Sequence, residues 1–230
     1  MVYKPPKAIR GGIPLCFPQF SDFGPLGQHG FARNMTWEVT EQTAEGVTMR
    51  LAASDATREA WPHEFACEYA VRLDADELTT TLSVTNEGSA PMSFTTALHT
   101  YFKVRDATAA RVEGLKGTQY LDSLKARETF DETGDAVTFS EEVDRIYLST
   151  PDELAVVDPS GGKTVTLVKR NLPDAVVWNP WVDKSKATGD LGDEDYKEMV
   201  CVEAAAIQHP VVVAPAETWS CSQTLRVAKH

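Results

Sequence analysis

The side chains best suited to bind an anion are concentrated near the start of the chain. Arg10 is followed by two glycines and, shortly after, a proline, while Gln28, His29 and Arg33 lie within six residues of one another. A guanidinium is planar and stays charged, so it suits the two-pronged binding of a phosphate or a carboxylate. Arg10 and Arg33 are therefore candidate anion-binding residues. The alternative is that both lie on the surface and pair with acidic side chains of the chain itself.

A candidate acid lies in the segment MSFTTALHTYFKV, residues 92–104. If this segment is a strand, alternation places Leu98 and Phe102 on one face and His99 and Tyr101 on the other, away from the bulky core. An imidazole titrates near neutral pH and is a natural general acid. The alternative is a structural histidine among aromatic rings, which is the commoner case unless a base lies nearby.

A candidate base lies in the segment EMVCVEAAAI, residues 198–207, where Glu203 has apolar neighbours on both sides. Such a run is typical of a strand buried on both faces. Burial of an ionised carboxylate costs several kcal/mol, and loss of water raises its pKa toward the range of a useful base. The alternative is a buried salt bridge with an arginine. We favour a functional role for Glu203.

The elements that must position these residues are short strands. No helical periodicity persists beyond about two turns. Ten or more strands joined by turns predict an all-β protein, either an antiparallel β-sandwich or a barrel, and we find neither a linker nor an internal repeat within residues 1–230, so we expect a single domain. The predicted strands cover residues 36–40, 46–52, 65–73, 77 to the turn at 86–88, 92–104, 145–149, 154–158, 163–169, 175–178, 198–207 and 218–227.

Three segments do not have a strand pattern and are rich in Arg, His, Gly, Pro and Trp: residues 9–37, 55–64 and 179–196. Loops of this kind on a β scaffold commonly hold functional sites. The acidic stretch 190–195 resembles a calcium loop in composition only, and we expect it to be a solvated turn.

Charge and composition exclude several classes of function. The 230 residues hold 22 Lys and Arg against 34 Asp and Glu, a net charge of −12. Residues 1–37 contain four of the cations and one acidic residue, which is +3 and leaves −15 for residues 38–230. Binding to nucleic acid or to an anionic membrane is therefore not expected. The basic stretch coincides with the candidate anion site.

Familiar motifs for nucleotides, zinc proteases, serine hydrolases and EF-hand calcium are missing from the sequence. Four widely separated cysteines, without metal-ligand spacing, are expected to be reduced thiols. No run approaches about 18 apolar residues and the start lacks an apolar signal region, so we expect a cytoplasmic protein.

Several segments together resemble the aldose 1-epimerase-like enzymes, and closely the branch of that family called glucose-6-phosphate 1-epimerases or hexose-6-phosphate mutarotases. They occur in the family's order over nearly the whole chain, and none alone would be specific. The matching segments are RGGIPLCFPQF (10–20), QHGFAR (28–33), WPHEF (61–65), LHTYF (98–102), DRIYL (144–148), NPW (179–181), Lys186-Ala187 and MVCVE (199–203).

The resemblance implies a large antiparallel β-sandwich of the galactose mutarotase type. It implies an isomerase that interconverts the α and β anomers of a hexose 6-phosphate, most simply glucose 6-phosphate, without metal or nucleotide cofactor. The sugar phosphate is the expected partner, and a monomer is favoured although the oligomeric state is not determined. By position, His99 corresponds to the general acid and Glu203 to the general base. The substrate-binding positions correspond to Arg10, Gln28, Arg33 and Asp144, with His29 as a further contact.

Two other functions remain open at this stage. One is mutarotation of a neutral aldose, for which Arg10 and Arg33 would not be needed. The other is a carbohydrate-binding β-sandwich without catalysis. The second gains weight because only nine residues precede Arg10, whereas the family usually has several strands there. We therefore expect an N-terminally short domain with some sheet edges unpaired or part of the core uncovered.

Overall fold

The fold is built almost entirely from antiparallel strands. A computed structural model of the protein describes residues 2–5 and 7–230. In chain order the strands are β1 (Leu15–Cys16), β2 (Glu38–Gln42), β3 (Gly46–Ala52), β4 (Phe65–Leu73), β5 (Glu77–Asn86), β6 (Met92–Leu98), β7 (Tyr101–Lys103), β8 (Arg111–Glu113), β9 (Gln119–Asp122), β10 (Glu128–Asp131), β11 (Ala136–Thr138), β12 (Val143–Leu148), β13 (Glu153–Asp158), β14 (Lys163–Arg170), β15 (Asp174–Asn179), β16 (Met199–Val213) and β17 (Thr218–Lys229).

These strands form two sheets. The eight-stranded sheet has the order β1-β6-β16-β15-β12-β9-β10, with β7 also paired to β16, and the nine-stranded sheet has the order β11-β8-β13-β14-β17-β5-β4-β3-β2. Every pairing between named strands is antiparallel. The two sheets pack as a sandwich, which confirms the predicted fold class.

Helices are short and lie in the segments that lack a strand pattern. Helix α1 (Asp55–Ala60) begins with a capping box, in which the Ser54 hydroxyl accepts from the Thr57 N–H and the Thr57 hydroxyl accepts from the Ser54 N–H. Helix α2 (Trp181–Ala187) follows Pro180. None of the helices in residues 2–5 and 7–230 is long and apolar enough to cross a membrane.

The eight-stranded sheet has apolar residues on both faces. Its inner face joins the main core, where Leu98 and Val202 pack together with residues of the nine-stranded sheet such as Leu82. Its outer face has a second, smaller apolar cluster of Cys16, Phe20, Ala97, Ile146, Val176, Ala205 and Ile207. This outer cluster consists of residues from the eight-stranded sheet and from the loop after β1. A cleft opens beside it.

The strand register places two candidate residues opposite each other. Leu98 pairs with Ala204 on one side of the gap between β6 and β7, and Tyr101 pairs with Cys201 on the other. The antiparallel register through this gap sets His99 opposite Glu203.

The structure also shows where the strand predictions were wrong. Residues 92–104 form two strands rather than one, although the predicted inner and outer faces are confirmed. The short strands β1, β8, β9, β10 and β11 were missed. Each has two to four residues, too few for alternation to be recognised.

Candidate active site

The seven candidate residues line one cleft of about 540 Å³. The cleft lies on the outer side of the eight-stranded sheet, and residues of the loop 20–33 and of the segment 123–127 form parts of its wall. Its lining consists of Arg10, Phe20, Ser21, Asp22, Phe23, Gln28, His29, Arg33, His99, Ser123, Arg127, Asp144, Ile146, Val176, Trp178, Lys184, Thr188 and Glu203.

His99 and Glu203 form a buried pair at the base of the cleft. Their side chains are 8% and 2% exposed, and His99 Nδ1 lies 3.3 Å from Glu203 Oε1. The backbone N–H of His99 donates to the Pro14 carbonyl, which anchors the ring next to the loop after Arg10. Among the described residues, His99 Nδ1 and Glu203 Oε2 have no hydrogen-bond partner. Apart from the contact between them, the described protein groups leave part of the hydrogen-bonding capacity of both side chains unused.

Burial acts on both groups in the direction of the uncharged form. Loss of water, reinforced by the charge of Asp144, raises the pKa of Glu203 well above its usual range. Loss of water, together with the nearby His29 and Arg33, lowers the pKa of His99. The short contact between the two groups favours the ion pair instead. An uncharged pair and an ion pair hold the same number of protons, so they differ only in where one proton lies.

His29 is held as a neutral ring. It adopts a left-handed backbone conformation, and its Nδ1 accepts from the Ser21 N–H at 3.2 Å. Burial, followed by the charges of Arg33 and Arg10, lowers its pKa to about 4. At neutral pH the proton is therefore on Nε2, which makes this atom a donor. The following Gly30 has φ +66°, and a Cβ there would lie 2.3 Å from the Phe17 carbonyl oxygen, so the turn requires glycine.

The two candidate arginines have different partners. Arg10 donates to both oxygens of Asp190 at 3.0 to 3.2 Å and to the Tyr101 hydroxyl at 3.1 Å. Arg33 donates one bond to the Gln28 carbonyl at 3.1 Å and has no carboxylate partner among the described residues. Pairing with acidic side chains, the alternative considered above, thus holds for Arg10 and not for Arg33.

The pairing also corrects one detail of the sequence analysis. Residues 192–195 of the acidic stretch are exposed as expected, but Asp190 is buried. Although burial opposes it, hydrogen bonds from Arg10 lower the pKa of Asp190. Asp190 is therefore an ion-pair partner of the candidate anion site and not part of a solvated turn.

The cleft is also lined by Asp144 and by groups that sequence analysis missed. Burial raises the pKa of Asp144 despite a hydrogen bond with Ser123 and the charge of Lys184. Arg127 is paired with Asp22, and its guanidinium lies 4.2 Å from the ring centre of Phe23. Lys184 lies in the segment 179–196, whose composition marked it as a candidate loop. Ser123 and Arg127 lie outside the three candidate loops and outside any recognisable motif.

Metal-ligating side chains do not cluster in this cleft. In the parts of the chain that the structure describes, no three His, Cys, Asp or Glu side chains come together as a metal site. The four cysteines are free and buried. Within residues 2–5 and 7–230, buried Glu203 has an ion-pair contact with His99 and none with an arginine, so the alternative of a salt bridge with arginine is wrong.

Comparison with known proteins identifies the family. A sequence profile described as aldose 1-epimerase matches residues 2–226. The chain belongs to the aldose 1-epimerase family. This membership confirms the resemblance found in the sequence segments and accounts for the two-sheet architecture.

Individual relatives of this epimerase have names that are more specific than the family name. A protein of Cenchrus ciliaris, provisionally named a glucose-6-phosphate 1-epimerase, is 45% identical over 230 residues, covering 95% of this chain and 70% of the relative. An Escherichia coli K12 protein with the same provisional name is 33% identical over 237 residues, covering 99% and 78%. The crystal structure of a provisionally named mutarotase from Salmonella typhimurium superposes with a TM-score of 0.89 at 31% identity, covering 99% of this chain and 77% of that one.

Proposed function

We propose that this epimerase interconverts the α and β anomers of a hexose 6-phosphate, with glucose 6-phosphate as the substrate. The observation that carries the proposal is the buried His99–Glu203 pair, 3.3 Å apart, in the same cleft as Arg33, which has no carboxylate partner in the described part of the chain. The names of the relatives support the choice of a sugar phosphate. We treat the chain as a single domain, because the two sheets share one core.

The chemistry needs one acid and one base that exchange roles. Glu203, as the carboxylate, removes the proton from the anomeric hydroxyl while His99, as the imidazolium, protonates the ring oxygen. The C1–O5 bond breaks and the open-chain aldehyde forms. Rotation about C1–C2 and reversal of both proton transfers close the ring as the other anomer.

The electrostatics of the pair suit this cycle. Ring opening converts the ion pair into the uncharged pair, and ring closure restores the ion pair. Burial favours the uncharged pair and the 3.3 Å contact favours the ion pair, so the two effects oppose each other. The pair and the reacting part of the sugar stay neutral in sum throughout, which avoids creating a net charge in a buried site.

The remaining residues bind and orient the sugar. Arg33, with open donors, is the principal phosphate ligand, and Arg10, which is paired with Asp190, contributes a second positive charge. Gln28, His29 and Asp144, which also line the cleft, are placed to bind sugar hydroxyls. Neutral His29 offers Nε2–H as a donor without adding charge near the acid.

The catalytic assignment is tested by anomer-exchange NMR on glucose 6-phosphate at neutral pH. Glu203→Gln and His99→Ala are each expected to lower kcat by about 10²–10⁴-fold, because each removes one proton-transfer group. Exchange rates equal to the wild-type rate in both variants would contradict the mechanism.

The phosphate assignment has its own test. Arg33→Gln is expected to raise KM for glucose 6-phosphate about 10–100-fold, the scale of a charged hydrogen-bonded pair, while kcat/KM for glucose stays within about twofold. Arg72→Gln, at an exposed position of the nine-stranded sheet, makes the same charge change away from the cleft and serves as the control. Equal kcat/KM for glucose and glucose 6-phosphate in the wild type would instead favour a neutral aldose as the substrate.

A further inference from the structure

The ring of Tyr101 is stacked on the imidazole of His99. The ring centres lie 4.8 Å apart and the planes differ by only 5°. Trp178 meets both rings edge-on, at 5.9 Å from His99 and 6.1 Å from Tyr101. These two neighbours restrict how the His99 imidazole can turn.

The hydroxyl at the far end of the same tyrosine accepts a hydrogen bond from Arg10 Nη1 at 3.1 Å. The other edge of that guanidinium is held by the two oxygens of Asp190. The Tyr101 side chain thus contacts Arg10 of the candidate phosphate site through its hydroxyl and His99, the candidate acid, through its ring. Contacts of Arg10 with a bound anion would change the hydrogen bond that it makes to Tyr101.

Tyr101 is not among the described residues that line the main cleft. It borders a second pocket of about 330 Å³, which is separated from the cleft by Arg10, Gln28 and Arg33. A sugar whose anomeric carbon lies at Glu203 therefore contacts His99 but not Tyr101. Any effect of Tyr101 on the reaction has to pass through its neighbours.

We infer that Tyr101 is a positioning residue that couples binding of the substrate phosphate at Arg10 to the orientation of the His99 ring. The inference rests on the proposed function. A phosphate that engages Arg10 shifts the guanidinium, the shift passes through the hydroxyl to the stacked ring, and the imidazole turns toward the ring oxygen of the sugar. The phosphate then raises kcat in addition to improving binding, because the link favours the reactive arrangement only when the anion is bound.

The test compares kcat on a charged and a neutral sugar. In Tyr101→Phe the stacking remains and only the hydroxyl link is lost. The ratio of kcat on glucose 6-phosphate to kcat on glucose is expected to fall about tenfold, the scale of one lost hydrogen bond. Tyr120→Phe, a buried tyrosine packed on Phe130 outside the cleft, should leave the ratio unchanged. A ratio within twofold of wild type in Tyr101→Phe, or an equal loss on both sugars, would overturn the inference.

A double mutant checks that the link runs through Arg10. Arg10→Lys keeps the charge but cannot bridge Asp190 and Tyr101 at once. If the link is shared, Arg10→Lys combined with Tyr101→Phe lowers the kcat ratio no further than either change alone. A ratio in the double mutant equal to the product of the two separate losses would show that the residues act independently and would overturn the inference.

An NMR titration separates this inference from the proposed function. The His99 imidazole resonance, assigned by its loss in His99→Gln, is followed while inorganic phosphate is added. The resonance is expected to shift in the wild type and to shift several-fold less in Tyr101→Phe. Equal shifts in both proteins would overturn the coupling whatever the enzyme activity. If the wild type fails to exchange sugar anomers, the proposed function is lost, and the titration still decides whether the coupling exists.

Discussion

Two carboxylates lie buried two register positions apart on neighbouring strands, and their surroundings differ in an instructive way. Asp174, at the start of β15, is fully buried and accepts backbone N–H groups from Ser149, Ile207 and Gln208 at 2.8 to 3.1 Å. Glu203, on β16, is as deeply buried, but among the described residues it has an ion-pair contact with His99 alone, and its Oε2 has no hydrogen-bond partner. The backbone satisfies the first carboxylate and leaves the second to bind something else. Only the second is therefore a candidate for chemistry.

Changing Glu203 is expected to have the largest effect, and on activity alone. Glu203→Gln should lower kcat by about 10²–10⁴-fold while the free energy of unfolding stays within about 1 kcal/mol of the wild-type value, because few contacts are lost. Urea unfolding and anomer-exchange rates on the same sample check both halves. A loss of several kcal/mol would mean that Glu203 is structural, like Asp174.

The opposite result is expected for Asp174. Asp174→Asn puts an amide where three backbone N–H groups converge, and a loss of about 3–5 kcal/mol in unfolding free energy follows from breaking a buried, hydrogen-bonded charge. The exposed Asp193→Asn is the matched control. If Asp174→Asn and Asp193→Asn unfold at the same urea concentration, Asp174 is not structural and its contrast with Glu203 fails.

The third prediction concerns the pH dependence of the unfolding free energy, which the buried neutral imidazole of His29 creates. The pKa of His29 is about 4 in the folded protein, against an ordinary value of 6.5, so the unfolded chain binds more protons between these limits. The contribution of His29 to stability should therefore be fully present above pH 6.5 and fall by up to about 3 kcal/mol as the pH drops toward 4.

Unfolding curves at several pH values measure this dependence. Asparagine tolerates the left-handed backbone at position 29. In His29→Asn, the part of the slope of unfolding free energy against pH that is due to His29 should disappear. A slope between pH 4 and 6.5 that is the same in the wild type and the variant would show that His29 titrates normally.

The smallest effect is expected for a buried cation. Lys169 is fully buried, and its ammonium donates to the carbonyls of Thr150 and Leu172 at 3.3 and 2.7 Å. Lys169→Met loses these bonds but also removes a charge that is costly to bury, so a net loss of about 1–2 kcal/mol is expected. A stabilised variant in urea unfolding would show that the cost of burial exceeds the value of the two bonds.

The features that could be predicted from the sequence are those that depend on the order of apolar and polar residues within one strand. The long strands β3, β4 and β5 have clear alternation, and the apolar run around Glu203 predicted its burial. The pairing of His99 with Glu203 could not be read from periodicity, because it depends on a register between strands more than 100 residues apart. The partners of Arg10 and Arg127 were also hidden, since Asp190 and Asp22 approach them only after the loops have folded.

The division between sheet and loops has a practical consequence for redesign. His99 and Glu203 lie opposite each other through the register of the eight-stranded sheet, whereas much of the remaining cleft lining comes from the loop 20–33, the segment 123–127 and helix α2. Replacing a surface loop leaves a paired register intact. Exchange of these segments is therefore expected to change which ligand the cleft accepts, while His99 and Glu203 keep their positions.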